Sequence, residues 1–82
     1  MRILHIVNAM NERLRAWGES IRSLREIQGL TQTELAKNLK VNQSTVARWE
    51  LGLMAPTDSM KERIAGALGS DARVIFQLRR SA

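Results

Sequence analysis

The sequence predicts an all-α fold, a compact bundle of about five short helices, on three observations. Apolar residues recur at spacings of three and four over most of the 82 residues. Strand signals are sparse: no Asn-Gly or Asp-Gly dipeptide and no long alternating run occurs. Gly29, Gly52 and Gly69 each follow a helical stretch, where a left-handed C-terminal cap favours glycine, and they cut the chain into units of helical length.

The elements follow in order. A first helix ends at Gln28 with Gly29 as its cap, and Ile21, Leu24 and Ile27 are expected on its inner face. Thr31 opens the second helix. Thr31 and Glu34 form a Thr-x-x-Glu capping box, in which each side chain satisfies a free amide. Leu35, Ala36 and Leu39 mark its buried face, and the turn Lys40-Val41 leads out of it. Asn42 is a suitable N-cap for a third helix, Gln43 to about Leu51, with Val46 and Trp49 pointing inward. A loop closed by Pro56-Thr57 precedes a fourth helix, capped by Thr57 and running through Leu68, with Met60, Ile64 and Leu68 apolar at helical spacing. Ser70 is expected to cap a short fifth helix, Asp71 to about Leu78, carrying Val74 and Leu78 inward. This divides the chain into an N-terminal extension or helix (1–17), a helical domain (18–78) and a frayed tail (79–82). Two short helices joined by a tight turn, set in a cluster of small helices, form the arrangement that carries a helix into the major groove of DNA.

Composition points the same way. Thirteen Lys and Arg oppose eight Asp and Glu, for a formal charge of +5 and a pI near 11.1, a balance that favours polyanions. The chain has no cysteine and one histidine, His5, so neither a disulfide nor a metal site is expected. The apolar stretch Ile3 to Val7 is interrupted by His5 and is too short for a signal-peptide core or a membrane span. A cytoplasmic protein with no membrane partner follows. No glycine-rich phosphate loop and no nucleophile–base pair is present. Glu12, Glu19 and Glu26 recur every seven residues and read as an exposed stripe. The chain is therefore expected to be no enzyme and to need no cofactor.

Gln32 to Leu51 reads QTELAKNLKVNQSTVARWEL. Leu-Thr-Gln precedes the second helix, and Ala36 sits where two crossing helices leave room for a small side chain. Arg-Trp-Glu-x-Gly closes the unit at Arg48 to Gly52, and Pro56-Thr57 and Arg63-Ile64-Ala65-x-Ala67-Leu68-Gly69 follow. On these residues the sequence resembles the phage-repressor and Cro-like (Xre-type) helix-turn-helix family of bacterial and phage regulators, over about Ile21 to Phe76. One departure stands out. The family usually carries glycine at the position of Lys40, where φ is often positive, at a cost to other residues of about 1 kcal/mol.

The resemblance implies a lambda-repressor-like domain that binds double-stranded DNA sequence-specifically. Gln43, Ser44 and Arg48 become the base-reading candidates, with Asn42 and Thr45 beside them. The chemistry suits them: glutamine can pair bidentately with adenine, and arginine with guanine O6 and N7. A bland alternative makes them the solvated face of an amphipathic helix. Gln32 is implied as a phosphate contact at the second helix's N-terminus, and Lys40 and Lys37 as further phosphate contacts or ordinary solubilising charge. Arg25 and Glu50 match a structural ion pair of the family. The implied function is a transcriptional repressor acting as a homodimer on a near-palindromic operator. The alternative is an antitoxin or adaptor that holds a partner protein and uses DNA binding for autoregulation.

Residues 1–17 leave three readings open. Ile3, Val7, Met10, Leu14, Trp17, Ile21 and Leu24 form a heptad-like seam, as in a long helix that takes part in a dimer interface. Gly18 opposes this, because glycine within a helix costs about 1 kcal/mol relative to alanine. Alternatively a helix starts near Asn8 or Asn11 after a short strand or arm, or residues before Met10 form a poorly ordered extension.

Overall fold

The computed structural model describes residues 2–76, with side chains from residue 9 onward. Five helices make up the described residues, and no strand occurs among them: α1 (Arg2–Ile27), α2 (Gln32–Leu39), α3 (Gln43–Glu50), α4 (Asp58–Ala67) and α5 (Ala72–Phe76). α1 lies across α3 and α5, α2 packs on α3 and α4, and α4 packs on α5.

α1 runs without a break through Gly18. The reason for a glycine there is contact, since an added Cβ would stand 2.5 Å from the Glu50 carbonyl oxygen and equally close to that of Trp49. Gly52 answers it from the other side. Its φ is +74°, and it rests on the backbone of Leu14 and Arg15. The two glycines let α1 touch the end of α3 backbone to backbone.

The core gathers Ile21 of α1, Leu35 and Leu39 of α2, Val46 and Trp49 of α3, Ile64 and Leu68 of α4, and Ile75 and Phe76 of α5. Burying each such side chain contributes about 1.5–3 kcal/mol. Trp17 meets Phe76 edge to face, with centroids 5.5 Å apart and planes at 85°. Lys61 of α4 lies over the Trp17 ring at 4.2 Å and bonds Asp58 at 3.4 Å, so α1, α4 and α5 are clamped together. Trp17, Leu24 and Ile21 of the seam are thus spent on the chain's own core, whereas Met10 is 57% exposed. The side chains at positions 3 and 7 lie outside the described residues.

Three expectations need correction. Ile27 is 76% exposed. Two successive steps of three from Ile21 rotate it by about 240°, off the buried stripe. Arg25 takes the inward position instead, and Gln28, though exposed, donates its Nε2 N–H to the Leu68 carbonyl at 3.3 Å. Val74 is 67% exposed because α5 buries the adjoining stripe Ala72, Ile75 and Phe76, which carries the aromatic ring that Trp17 needs. The start of α5 is capped by Asp71 and not by Ser70: Asp71 Oδ1 accepts the Arg73 N–H at 2.7 Å. α3 runs to Glu50 with Leu51 as its cap, as expected to within one residue, and Leu51 is 66% exposed. Leu78 and the tail 79–82 lie outside the described residues.

Candidate nucleic-acid interface

The site is built on α2, a tight turn and α3. The capping box at the start of α2 is complete: Thr31 Oγ1 accepts the Glu34 N–H at 3.0 Å, and Glu34 Oε1 accepts the Thr31 N–H at 2.9 Å. The Thr31 backbone N–H first, and the Thr31 side chain second, bond the Glu34 carboxylate and lower its pKa from the ordinary value. α2 ends at Lys40, whose backbone is left-handed (φ 59°, ψ 43°). The Lys40 N–H bonds the Lys37 carbonyl, and the Val41 N–H reaches back to Ala36 at 2.9 Å. Arg63 of α4 donates to the Leu39 carbonyl at 2.7 Å and closes the same end. Ala36 is buried at the crossing.

Asn42 is extended (φ −76°, ψ 149°), and its carbonyl starts α3 by accepting from Thr45 and Val46. Its side chain makes no capping bond, which leaves that group free at the helix entrance. Val46 and Trp49 anchor α3 in the core. Asn42, Gln43, Ser44 and Arg48 are exposed, Thr45 is half-buried, and Lys37 and Lys40 are exposed on α2 and the turn. Ser44 and Arg48 stand four residues apart and face the same way.

Behind this face runs a chain of side-chain hydrogen bonds. Arg25 Nε donates to Glu50 Oε2 at 2.6 Å, and Arg25 Nη2 to Glu50 Oε1 at 3.0 Å. Arg25 Nη1 donates to the Leu30 carbonyl at 2.7 Å. Both residues of the pair are buried. The bonds to Glu50 raise the Arg25 pKa further above its ordinary value, against the opposing effect of burial. Gln32 Nε2 then donates to Glu50 Oε1 at 3.0 Å, and Gln43 Nε2 donates to Gln32 Oε1 at 2.7 Å. Among the described residues no buried side-chain nitrogen or oxygen lacks a partner. Gln32, Gln43, Arg25 and Glu50 stand out individually in the sequence, but their linkage does not. The four positions are joined only by the crossing of three helices.

A buried two-helix unit with a tight turn and a free polar face at the start of its second helix defines a helix-turn-helix domain. A helix-turn-helix family model of the Cro/C1, Xre-like type matches residues 21–75, and the chain belongs to that family. Membership makes it a DNA-binding regulator. Two solved structures of the clp gene regulator ClgR from Corynebacterium glutamicum are similar, each at 25% identity and TM-score 0.75. Each alignment covers 79% of this chain, and it covers 69% of one ClgR chain and 83% of the other. ComR from Streptococcus suis is similar at 27% identity and TM-score 0.68, over 79% of this chain and 21% of the ComR chain. No curated protein matches significantly. Among the described residues no helix is long and apolar enough to cross a membrane.

Proposed function

We propose that this chain is a cytoplasmic transcriptional repressor that docks α3 in the major groove and binds a near-palindromic operator as a homodimer. One observation carries the reading. Val46 and Trp49 fix α3 in the core while Gln43, Ser44 and Arg48 are exposed on its outer face. Gln43 and Arg48 have the donors and acceptors to read purine edges, with Asn42, Ser44 and Thr45 beside them. Lys37 and Lys40 supply phosphate contacts at the adjoining turn, and Gln32 adds one at the start of α2. Two copies place their recognition helices about 34 Å apart, one turn of DNA. The similarity to ClgR, a gene regulator by name, supports the regulatory role.

A second reading, an antitoxin or adaptor with a protein partner, draws on one feature. Met10, Leu51 and Leu53 each expose more than half of their surface. Gly52, between the two leucines, rests on α1 one turn after Met10. Affinity selection on random duplex DNA at near-physiological salt separates the readings. An enriched inverted repeat with half-sites one turn apart is expected. Absence of any enriched sequence would discard the repressor reading in favour of a protein partner.

A further inference from the structure

We propose that the first half of α1 is the dimer interface of this protein, where it packs antiparallel against the same half of a second copy, centred between Asn8 and Ala9. The inference rests on the homodimer reading above and gives that dimer a surface and a register.

α1 has 26 residues and is about 39 Å long at 1.5 Å per residue. Only its second half packs on the bundle. Gly18 and Ile21 are buried and Trp17 packs against the core, but Ala9 to Arg13 are all exposed. Gly52 rests on Leu14 and Arg15, which marks the edge of the bundle. About 18 Å of helix therefore projects beyond it. A lone helix of about a dozen residues is marginal in water. This one carries an apolar stripe past the edge. Positions 3, 7, 10 and 14 continue the four-and-three spacing of Trp17, Ile21 and Leu24, and hold Ile, Val, Met and Leu. Met10 is 57% exposed, and Leu51 and Leu53, on either side of Gly52, are 66% and 70% exposed at the base of the projection.

The stripe is complementary to itself. With a two-fold axis between residues 8 and 9, position 3 of one copy faces position 14 of the other, and position 7 faces position 10. Four apolar layers result, Ile with Leu and Val with Met, each occurring twice, and no charge falls within them. The first turn of each copy ends beside Leu14 of the other, next to the loop that exposes Leu51 and Leu53.

The same register sets the spacing of the recognition helices. Gly18 touches the last carbonyls of α3. The two Gly18 positions lie about 28 Å apart along the helices, and the roughly 8–10 Å between helix axes brings their separation to about 30 Å. That is close to the ~34 Å between half-sites one turn of DNA apart. A parallel pair would set the two Gly18 residues side by side and crowd both α3 helices into less than one turn. The apolar layers and the groove spacing are independent, and both select the antiparallel pair.

The chain has no cysteine, so introduced cysteines report the register directly. Oxidation of Ile3→Cys mixed with Leu14→Cys is expected to give the mixed disulfide-linked dimer. Ile3→Cys alone should give little, because its two copies stand about 16 Å apart along the helices. Efficient cross-linking of Ile3→Cys alone would reveal a parallel pair and overturn the inference. Met10→Glu places a charge in two of the four layers, at a position the single bundle leaves exposed. It is expected to sediment as a monomer where the wild type is a dimer, to bind a single half-site as the wild type does, and to lose roughly a hundredfold in affinity for the paired operator. A dimer that Met10→Glu leaves intact would place the interface elsewhere, which overturns the inference while the homodimer reading stands. A wild type that is monomeric at about 100 μM, a concentration at which even a small interface forms, and that binds the operator as one copy overturns both. If no operator is selected but the cross-linking and sedimentation results hold, the repressor reading fails and the interface stands. Should Leu14→Cys not fold, Ile3→Cys alone and Met10→Glu decide the matter.

Discussion

Gly18 of α1 and Trp49 of α3 meet backbone to backbone, with the Gly18 Cα pressed on the last carbonyls of the recognition helix. Gly18→Ala would gain about 1 kcal/mol of helix propensity. It would also force a Cβ to within 2.5 Å of the Glu50 carbonyl oxygen, and a backbone atom cannot swing aside. Overpacking of this kind costs about 1–3 kcal/mol, so after the gain in propensity a net loss of up to about 2 kcal/mol is expected. In a domain of this size that lowers Tm by up to about 10 °C. Gly66→Ala is the control. Gly66 also lies in a helix, α4, but nothing stands within 4 Å of an added Cβ. Its melting temperature should rise, by about 0.5–1 kcal/mol of stability.

The Arg25–Glu50 pair should behave asymmetrically under mutation. Arg25→Met leaves a buried carboxylate with Gln32 as its remaining donor, and the expected loss is about 3–5 kcal/mol in urea unfolding. Adding Glu50→Leu removes the stranded charge and should restore most of that stability. A double variant no more stable than Arg25→Met would show that packing around the guanidinium, and not the charge, carries the effect.

Much of this fold was legible because its helices obey local rules. Thr31 with Glu34, Thr57 before α4, and the apolar sets of α2 and α3 are all properties of neighbouring residues. Errors arose where a tertiary contact chose between two local solutions. Val74 and the pair Ile75–Phe76 offer α5 competing faces, and the Trp17 ring decides between them. Gly18 looks like a helix breaker until the end of α3 is brought against it. The candidate site divides in the same way. The outward residues of α3 are readable from its period, whereas the chain from Arg25 to Gln43 spans separations of 25, 18 and 11 residues and belongs to no motif.

Acid should loosen the start of α2 through Glu34. Its carboxylate accepts the Thr31 N–H, and its folded pKa lies below the ordinary 4.5. A carboxyl with a depressed folded pKa contributes its stabilisation in full above its unfolded pKa, and that contribution fades as pH falls through the folded value. Melting curves between pH 3 and about pH 7 should therefore show a loss that begins near 4.5 and grows below it. Glu34→Gln keeps an acceptor for the same N–H but does not titrate. Its acid limb should be flatter than that of the wild type. Superimposable curves would remove Glu34 from the acid response.

Lys40 separates fold from function at a single position. Its backbone is left-handed at φ 59°, and its side chain is exposed beside α3. Glycine adopts that conformation without the Cβ penalty, so Lys40→Gly should stabilise the domain by about 0.5–1 kcal/mol despite the greater freedom of the unfolded chain. If the ammonium meets a phosphate, the same change weakens binding to all sequences alike. The slope of log affinity against log salt should then fall by about 0.9, the value for one lost phosphate contact. A more stable protein with an unchanged salt slope would mean that Lys40 occupies the turn without touching DNA. The left-handed lysine would then be a cost to the fold with no return in binding, and Lys37 would be the remaining lysine candidate for the phosphate contact on this edge.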